Sequence, residues 1–585
     1  MKIFVTLFLA LISMSAIALP HNYDLPFNCI DSGALTNFQQ SKKAELEGRA
    51  IPMIKQLMKE GGQMAGLFAI SYKGRELSNC AIGYADYDSG ERLAKGLLVL
   101  PLQANAAARG ASLAKPITRA AIKKCLDMGL CDYNENLLAA SGVKPWGNTV
   151  QPWHSQCTVR HAVEPVTTGC NIPDGYKVPD IDISKVTGWS LPISFAQMLS
   201  YDTSGNTARV QVTSNLAYAM LGAMIEKKTG RNYYDWVHEN VLAKAGISRE
   251  SLVESLGTLQ LKNAQGKVVD GREPGEMSYD SRFLQNDLPD YRISYYDGKT
   301  VARNSDSGLV ENLQAAAGWT GTTDAWLRVA SNYSDDGTYA PMKNGVYGYG
   351  TANGEFFGTS TIMARNSNPG FEYAFVLNFN RYSTVADGNI ISTAALFKLR
   401  AILDSTDLSS YTYDLWDVGT AASEVVRSYT YNKAGVFRYF AASPAAVKVL
   451  DDLIAKDPSV GFTRNGESWK MWKVGTPGTV PVCRYFYPPA STHFWGEYKD
   501  CKLVQMLFPN QENYIDTFHF EEMTLAAKLV NPTTKTCDAP TVPLYRGFRS
   551  VSGAQNHQYV VSGSNAINTA VGYALEGIAF CVMPN

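Results

Sequence analysis

Ala111-Ser112-Leu113-Ala114-Lys115-Pro116 places a hydroxyl and an amine three residues apart. On a helix that spacing puts both side chains on one face, one turn from each other. The pair suits nucleophilic catalysis: a neutral amine can take the hydroxyl proton while the oxygen attacks a carbonyl, and a helix N-terminus favours the negative charge that develops. Ser112 is expected on the first turn of a helix running to Cys125. Pro116 fits there, because a first-turn residue has no intrahelical N–H bond to lose. A Ser-x-x-Lys is also a common way for an ordinary helix to begin, so its chemistry depends on what surrounds it.

Other polar groups make weaker sites. His161, between Arg160 and Glu164, reads as a scaffold histidine, and His238-Glu239-Asn240 lacks the second histidine of a zinc helix. Ser112 is not in a Gly-x-Ser-x-Gly elbow, since Ala114 stands where the second glycine belongs. Gly348-Tyr349-Gly350 lies among strand residues and reads as a turn, not as a phosphate cradle.

The elements that must carry these residues show in the periodicity. Helical spacing covers 41–60, strand-like runs follow at 66–72 and 76–84, and helices are predicted over 215–229 and 233–245, closed by Gly230 and Gly246. Strands return over 345–380, and a last helix covers 392–403. Strands at both ends of a helical middle predict one sheet assembled from the two ends. A boundary is expected at 405–413, with the region before it able to keep its activity alone. Beyond it a weak repeat appears: Val436-Phe437-Arg438-Tyr439-Phe440, Val482-Cys483-Arg484-Tyr485-Phe486 and Leu544-Tyr545-Arg546-Gly547-Phe548, which suit three small β units. Exposed aromatics beside Arg and His there could stack on sugars; otherwise the three arginines are structural pins.

Residues 1–18 read as a signal peptide, with Lys2, an apolar run and Ala16-Ile17-Ala18 before the cut. The chain is then secreted or periplasmic, and its ten cysteines read as disulfides. Proximity in sequence offers Cys29 with Cys80, Cys125 with Cys131, Cys157 with Cys170, Cys483 with Cys501 and Cys537 with Cys581, with the connectivity left open. A formal net charge of -1 argues against a nucleic-acid partner, and no segment of the mature chain calls for a membrane. The length of 585 residues implies at least two domains.

Several blocks in order resemble the serine β-lactamase and penicillin-binding superfamily, in its class C-like branch. They are Ser112 to Thr118 with Met128 to Asp132, Cys157 to Gly169, Thr213-Ser214-Asn215 with Tyr218 and Leu221 to Glu226, and Ala315 to Asp324. The resemblance implies an α+β fold, β-lactamase-like, with an antiparallel sheet flanked by helices and a helical subdomain over 19–408. A small all-β repeat module would follow over 409–585, resembling modules found behind secreted bacterial hydrolases. The activity implied is a serine hydrolase of esterase, amidase or peptidase type, without metal or other cofactor. Ser112 would be the nucleophile, Lys115 its base and Thr213 a proton relay. Asn215, Asn353, Gly354 and Glu355 would hold the substrate, with the backbone N–H groups of Ser112 and Glu355 binding the oxyanion. Two departures stand out: Thr213 replaces the family's tyrosine, and Ala352 replaces a cation that family members use for a substrate carboxylate. The loss of that cation favours an uncharged ester or amide substrate over penicillins, with a small peptide as a further candidate partner; the two departures together leave open a catalytically reduced binding protein, with wall or glycan contact through the C-terminal module.

Overall fold

The computed structural model describes residues 25–30, 37–85, 89, 99–142, 155–164, 214–255, 272–279, 315–342, 349–408 and 422–585, with short breaks in the last two spans and isolated strands at 260–262, 268–270, 291–293 and 300–302. The expected signal peptide, Cys170, Thr213 and most of the expected boundary lie outside the described residues.

Six strands form the main sheet in the order Phe27–Cys29, Arg75–Gly83, Ala65–Tyr72, Tyr373–Phe379, Thr359–Asn366 and Tyr349–Phe356. All neighbours are antiparallel. The seam runs from Tyr72 opposite Tyr373 to Gly66 opposite Phe379, so the sheet is assembled from both ends of this region, as predicted. Side-chain alternation sorts the central strands. Phe68, Ile70, Phe375 and Leu377 enter one core with the helices Asn37–Glu60 and Ile391–Asp404. Ala69, Ala374 and Val376 enter the opposite core, which belongs to the helical layer. Burial on both faces is why these runs are almost wholly apolar.

The helical layer contains Ala114–Asp127, Leu137–Ser141, Val159–Val163, Asn215–Thr229 and Tyr233–Asn240. Gly230 caps its helix in the left-handed conformation, with φ of 67°. The helix predicted over 233–245 stops at Asn240 and resumes as a 3-10 turn, Leu242–Ala245. The break has a local partner, because the Tyr333 hydroxyl donates to the Val241 carbonyl at 2.7 Å. A short sheet of Ala107–Arg109, Trp319–Thr322 and Leu252–Glu254 lies beside this layer. The bridges Cys29–Cys80, Cys125–Cys131, Cys483–Cys501 and Cys537–Cys581 are all formed, and Cys157 is also in a disulfide. No helix among the described residues is long and apolar enough to cross a membrane.

Beyond residue 422 the chain builds three related units, each of two strands, a helical segment and a third strand. The first runs Glu424–Lys433, Val436–Ala442, helix Pro444–Lys456 and Phe462–Lys473. The second runs Val480–Tyr487, Thr492–Glu497, helix Tyr498–Leu507 and His519–Ala527. In the third, Val542–Val551 and Ala554–Val560 precede two 3-10 turns and Ala574–Pro584. The third strand of the first unit pairs with both of the other third strands. A common core takes Val426, Val482 and Leu544 from the first strands and Ala441, Trp495 and Tyr559 from the second.

That core corrects the repeat register. Arg438 sits on the second strand of its unit, whereas Arg484 and Arg546 sit on first strands. Arg484 lies opposite Trp495 and Arg546 opposite Tyr559; the residue opposite Ala441 is Ser428. Ser428 is therefore the counterpart in the first unit. Burial decided the register: Val426 reaches the common core, while Val436, which the letter pattern aligned with Val482, is exposed.

Candidate active site

The chain reaches Ser112 through a crowded, tied-down turn. Gly110 admits no side chain, since a Cβ there would lie 2.1 Å from the Trp326 ring, and Ala111 holds φ of +46°, a conformation that costs a non-glycine residue energy. Asn378 Nδ2 donates to the Arg109 carbonyl at 2.9 Å, Trp326 Nε1 to the Ala108 carbonyl at 3.1 Å, and Thr361 Oγ1 to the Gly110 carbonyl at 3.0 Å. The turn Ala111–Leu113 then passes into the helix Ala114–Asp127, as the proline at its start predicts.

Lys115 Nζ donates to Ser112 Oγ at 2.6 Å, and Lys115 is buried. Lys115 Nζ lies 5.7 Å from the centre of the Tyr218 ring. Burial pushes the Tyr218 phenol up to about 12, against the pull of Arg119, whose Nε donates to the phenol oxygen. Tyr218 and Arg119 were not singled out as site residues from sequence; the signal was present, since Tyr218 follows Asn215 by one helical turn. Asn215 opens that helix, Ser214 caps it by accepting from the Ala217 N–H at 3.1 Å, and Asn215 and Tyr218 share a face.

The edge strand Tyr349–Phe356 closes the site from the other side. A Cβ on Gly354 would lie 2.4 Å from the Gly110 carbonyl oxygen and 2.9 Å from the Ser112 nitrogen, so the strand backbone at Gly354 passes directly by the Ser112 turn. The side chains of Asn353 and Glu355 lie outside what the structure describes; their backbones pair with Ile362 and Ser360. Ala352 is half-buried against the helical core and brings no charge to the strand.

Behind this turn runs a strap, residues 272–279. The buried Arg109 guanidinium lies over the Tyr279 ring at 4.3 Å and 3.6 Å from the Glu276 carboxyl. Tyr279 Oη accepts from the backbone N–H of Arg109 at 2.8 Å and donates to Glu276 at 2.9 Å. Burial pushes the Glu276 carboxyl up to about 7, opposed by Arg109. The strap also reaches the C-terminal region: Glu273 accepts from the Tyr498 hydroxyl and from Lys502 Nζ. A Cβ on Gly275, whose φ is +72°, would lie 2.3 Å from the Phe520 ring.

The histidines set aside from sequence are structural. His161 Nδ1 accepts from the Thr158 N–H at 3.1 Å in a helix cap. His238 is buried with Nε2 on the Leu252 carbonyl, and burial lowers its pKa to about 4. Cys29, Glu47 and Cys80 lie close enough together for a metal, but the two sulfurs are joined to each other.

A family model described as a domain of unknown function (DUF5648) matches residues 452–583. No curated protein matches the chain. Among solved structures the chain is similar to the D-amino acid amidase of Ochrobactrum anthropi SV3, at 14% identity and a TM-score of 0.40, over 62% of this chain and 99% of that one. It is similar to EstCE1, described as a hydrolase with promiscuous acyltransferase activity, at 14% identity and a TM-score of 0.36, over 63% of this chain and 100% of that one. It is similar to a β-lactamase/D-alanine carboxypeptidase of Yersinia pestis, at 13% identity and a TM-score of 0.40, over 63% of this chain and 100% of that one.

Proposed function

We propose that the chain is an exported serine hydrolase that cleaves uncharged ester or amide bonds through an acyl-enzyme on Ser112. The observation that carries this reading is the 2.6 Å contact between Lys115 Nζ and Ser112 Oγ, at the start of a helix and beside the backbone of Gly354. With Lys115 as the neutral amine, the Ser112 proton passes to Nζ as Oγ bonds to the carbonyl carbon. The carbonyl oxygen becomes an anion held by the backbone N–H groups of Ser112 and Glu355. Lys115 returns the proton to the departing alcohol or amine as its bond to carbon breaks, with Thr213 as the relay and Asn215 orienting the substrate. Water, giving its proton to Lys115, then releases the acid and restores Ser112. Four disulfides among the described residues and the apolar N-terminus support export.

A second reading, a binding protein that keeps the scaffold without turnover, is favoured by Ala352 at the strand edge. Mass spectrometry of the intact protein after exposure to a fluorophosphonate, and separately to a penicillin, decides between them. The hydrolase gains one fluorophosphonate adduct, at Ser112, and the Ser112→Ala protein gains none. An adduct that survives Ser112→Ala removes Ser112 from the mechanism.

A further inference from the structure

A cleft of about 1010 Å³ opens where the first and second C-terminal units meet the segments 28–30 and 100–104. Its wall carries an ordered cluster. Arg484 donates through Nε to Glu521 at 2.5 Å and through Nη1 to Glu522 at 2.8 Å, and His493 Nε2 lies 3.3 Å from Glu521. The Phe486 ring lies 4.9 Å from the His493 ring.

The third unit repeats the arrangement at matching positions. Arg546 donates to Glu576 at 2.7 Å, His557 Nε2 lies 4.0 Å from the same carboxylate, and the Phe548 ring lies 5.0 Å from His557. The first unit lacks it. Ser428 stands for the arginine and Asn465, four residues before the core residue Trp469, stands for the glutamate; Asn465 Nδ2 donates to Ser428 Oγ at 2.8 Å. The same three-stranded unit thus forms on a neutral hydrogen bond. Desolvating ion pairs costs about as much as the pairing returns, so the fold does not need the charged set in the second unit.

The chemistry of the cleft says what the set is for. Glu424, Glu521 and Glu522 on the wall are matched by Lys448, Lys473 and Arg484, so no single-sign field gathers a strongly charged ligand. Phe486 and Phe520 supply apolar ring surface next to planar groups fixed by their mutual bonds. A sugar chain presents the complement, with apolar C–H faces flanked by hydroxyl groups that both donate and accept. We infer that this cleft binds a neutral oligosaccharide. The inference stands apart from the chemistry of Ser112.

Titration calorimetry of the full chain with chitotetraose, cellotetraose and maltotetraose tests it. At least one of the three binds. Phe486→Ala and Glu522→Gln each weaken that binding about tenfold or more, while Ser112→Ala leaves it unchanged. Glu522→Gln is the safer variant for folding, and an unaltered melting temperature certifies it. Failure of all three sugars to bind overturns the inference, and so does binding that survives both cleft substitutions or disappears with Ser112→Ala.

Discussion

The Ser112 site and the arginine clusters of the C-terminal region follow opposite plans. Ser112 and its surroundings occur once, drawn from distant segments: Thr361 reaches the Gly110 carbonyl across 251 residues of chain. The arginine cluster is local, with Glu521 37 positions after Arg484, and it recurs with Glu576 30 positions after Arg546. One of its three positions holds Ser428 and Asn465 instead, in a unit of the same fold. A constellation assembled once from remote strands has no spare part; one built within a repeat can lose a copy.

The largest test of that contrast is Lys115→Ala. We expect kcat/KM for an activated ester to fall by about 10³-fold or more, because an unassisted hydroxyl is a poor nucleophile. A variant within tenfold of the parent would place the base elsewhere. Gly354→Ala should come next. Its new methyl meets the Gly110 carbonyl and the Ser112 N–H, and a displacement of about 1 Å at a nucleophile costs about 10²-fold in rate. Unchanged acylation kinetics would show that the edge strand has no part in the site.

Smaller effects belong to the strap. Burial holds the Glu276 carboxyl up near 7 in the fold, above its ordinary value of 4.5. A raised carboxyl contributes its stability fully below the unfolded value and loses it as pH rises through the folded one. Melting temperature should therefore decline between about pH 5 and pH 8, and Glu276→Gln should flatten that decline relative to the parent. Equal slopes in the two proteins would mean that Glu276 ionises in the fold as it does in water. The smallest effect is expected from the double change Arg546→Ser with Glu576→Asn, which copies the first unit into the third. Denaturant unfolding should shift by no more than about 1 kcal/mol; a loss several times larger would show that the third unit needs its charges.

What was legible in the sequence was mostly local. Ser112 and Lys115 meet because three residues of helix bring them together, and the helix over 215–229 was readable from its spacing and its closing glycine. The four described disulfides match the pairs suggested by proximity. Gly354 required more, since only the order of the blocks placed that strand beside Ser112. Arg109, Glu276 and Tyr279 were not read at all: 170 residues separate Arg109 from Tyr279, and neither stands in a pattern that betrays a partner. In the repeats, similar letters around Arg438 outweighed the rule that matters physically, namely which residue of each strand enters the common core. The role expected of Thr213 falls on a residue outside those described.

The strap has a consequence in time. Glu273 is bound by Lys502, which follows it by 229 residues, and Phe520 closes on Gly275 later still. A chain made from its N-terminus holds Ser112, Lys115 and Gly354 well before it holds Lys502. The back of the Ser112 turn therefore waits for nearly the last unit before it is sealed. A chain stopped early, by a premature stop codon, carries every residue of the Ser112 site with its rear support unfinished.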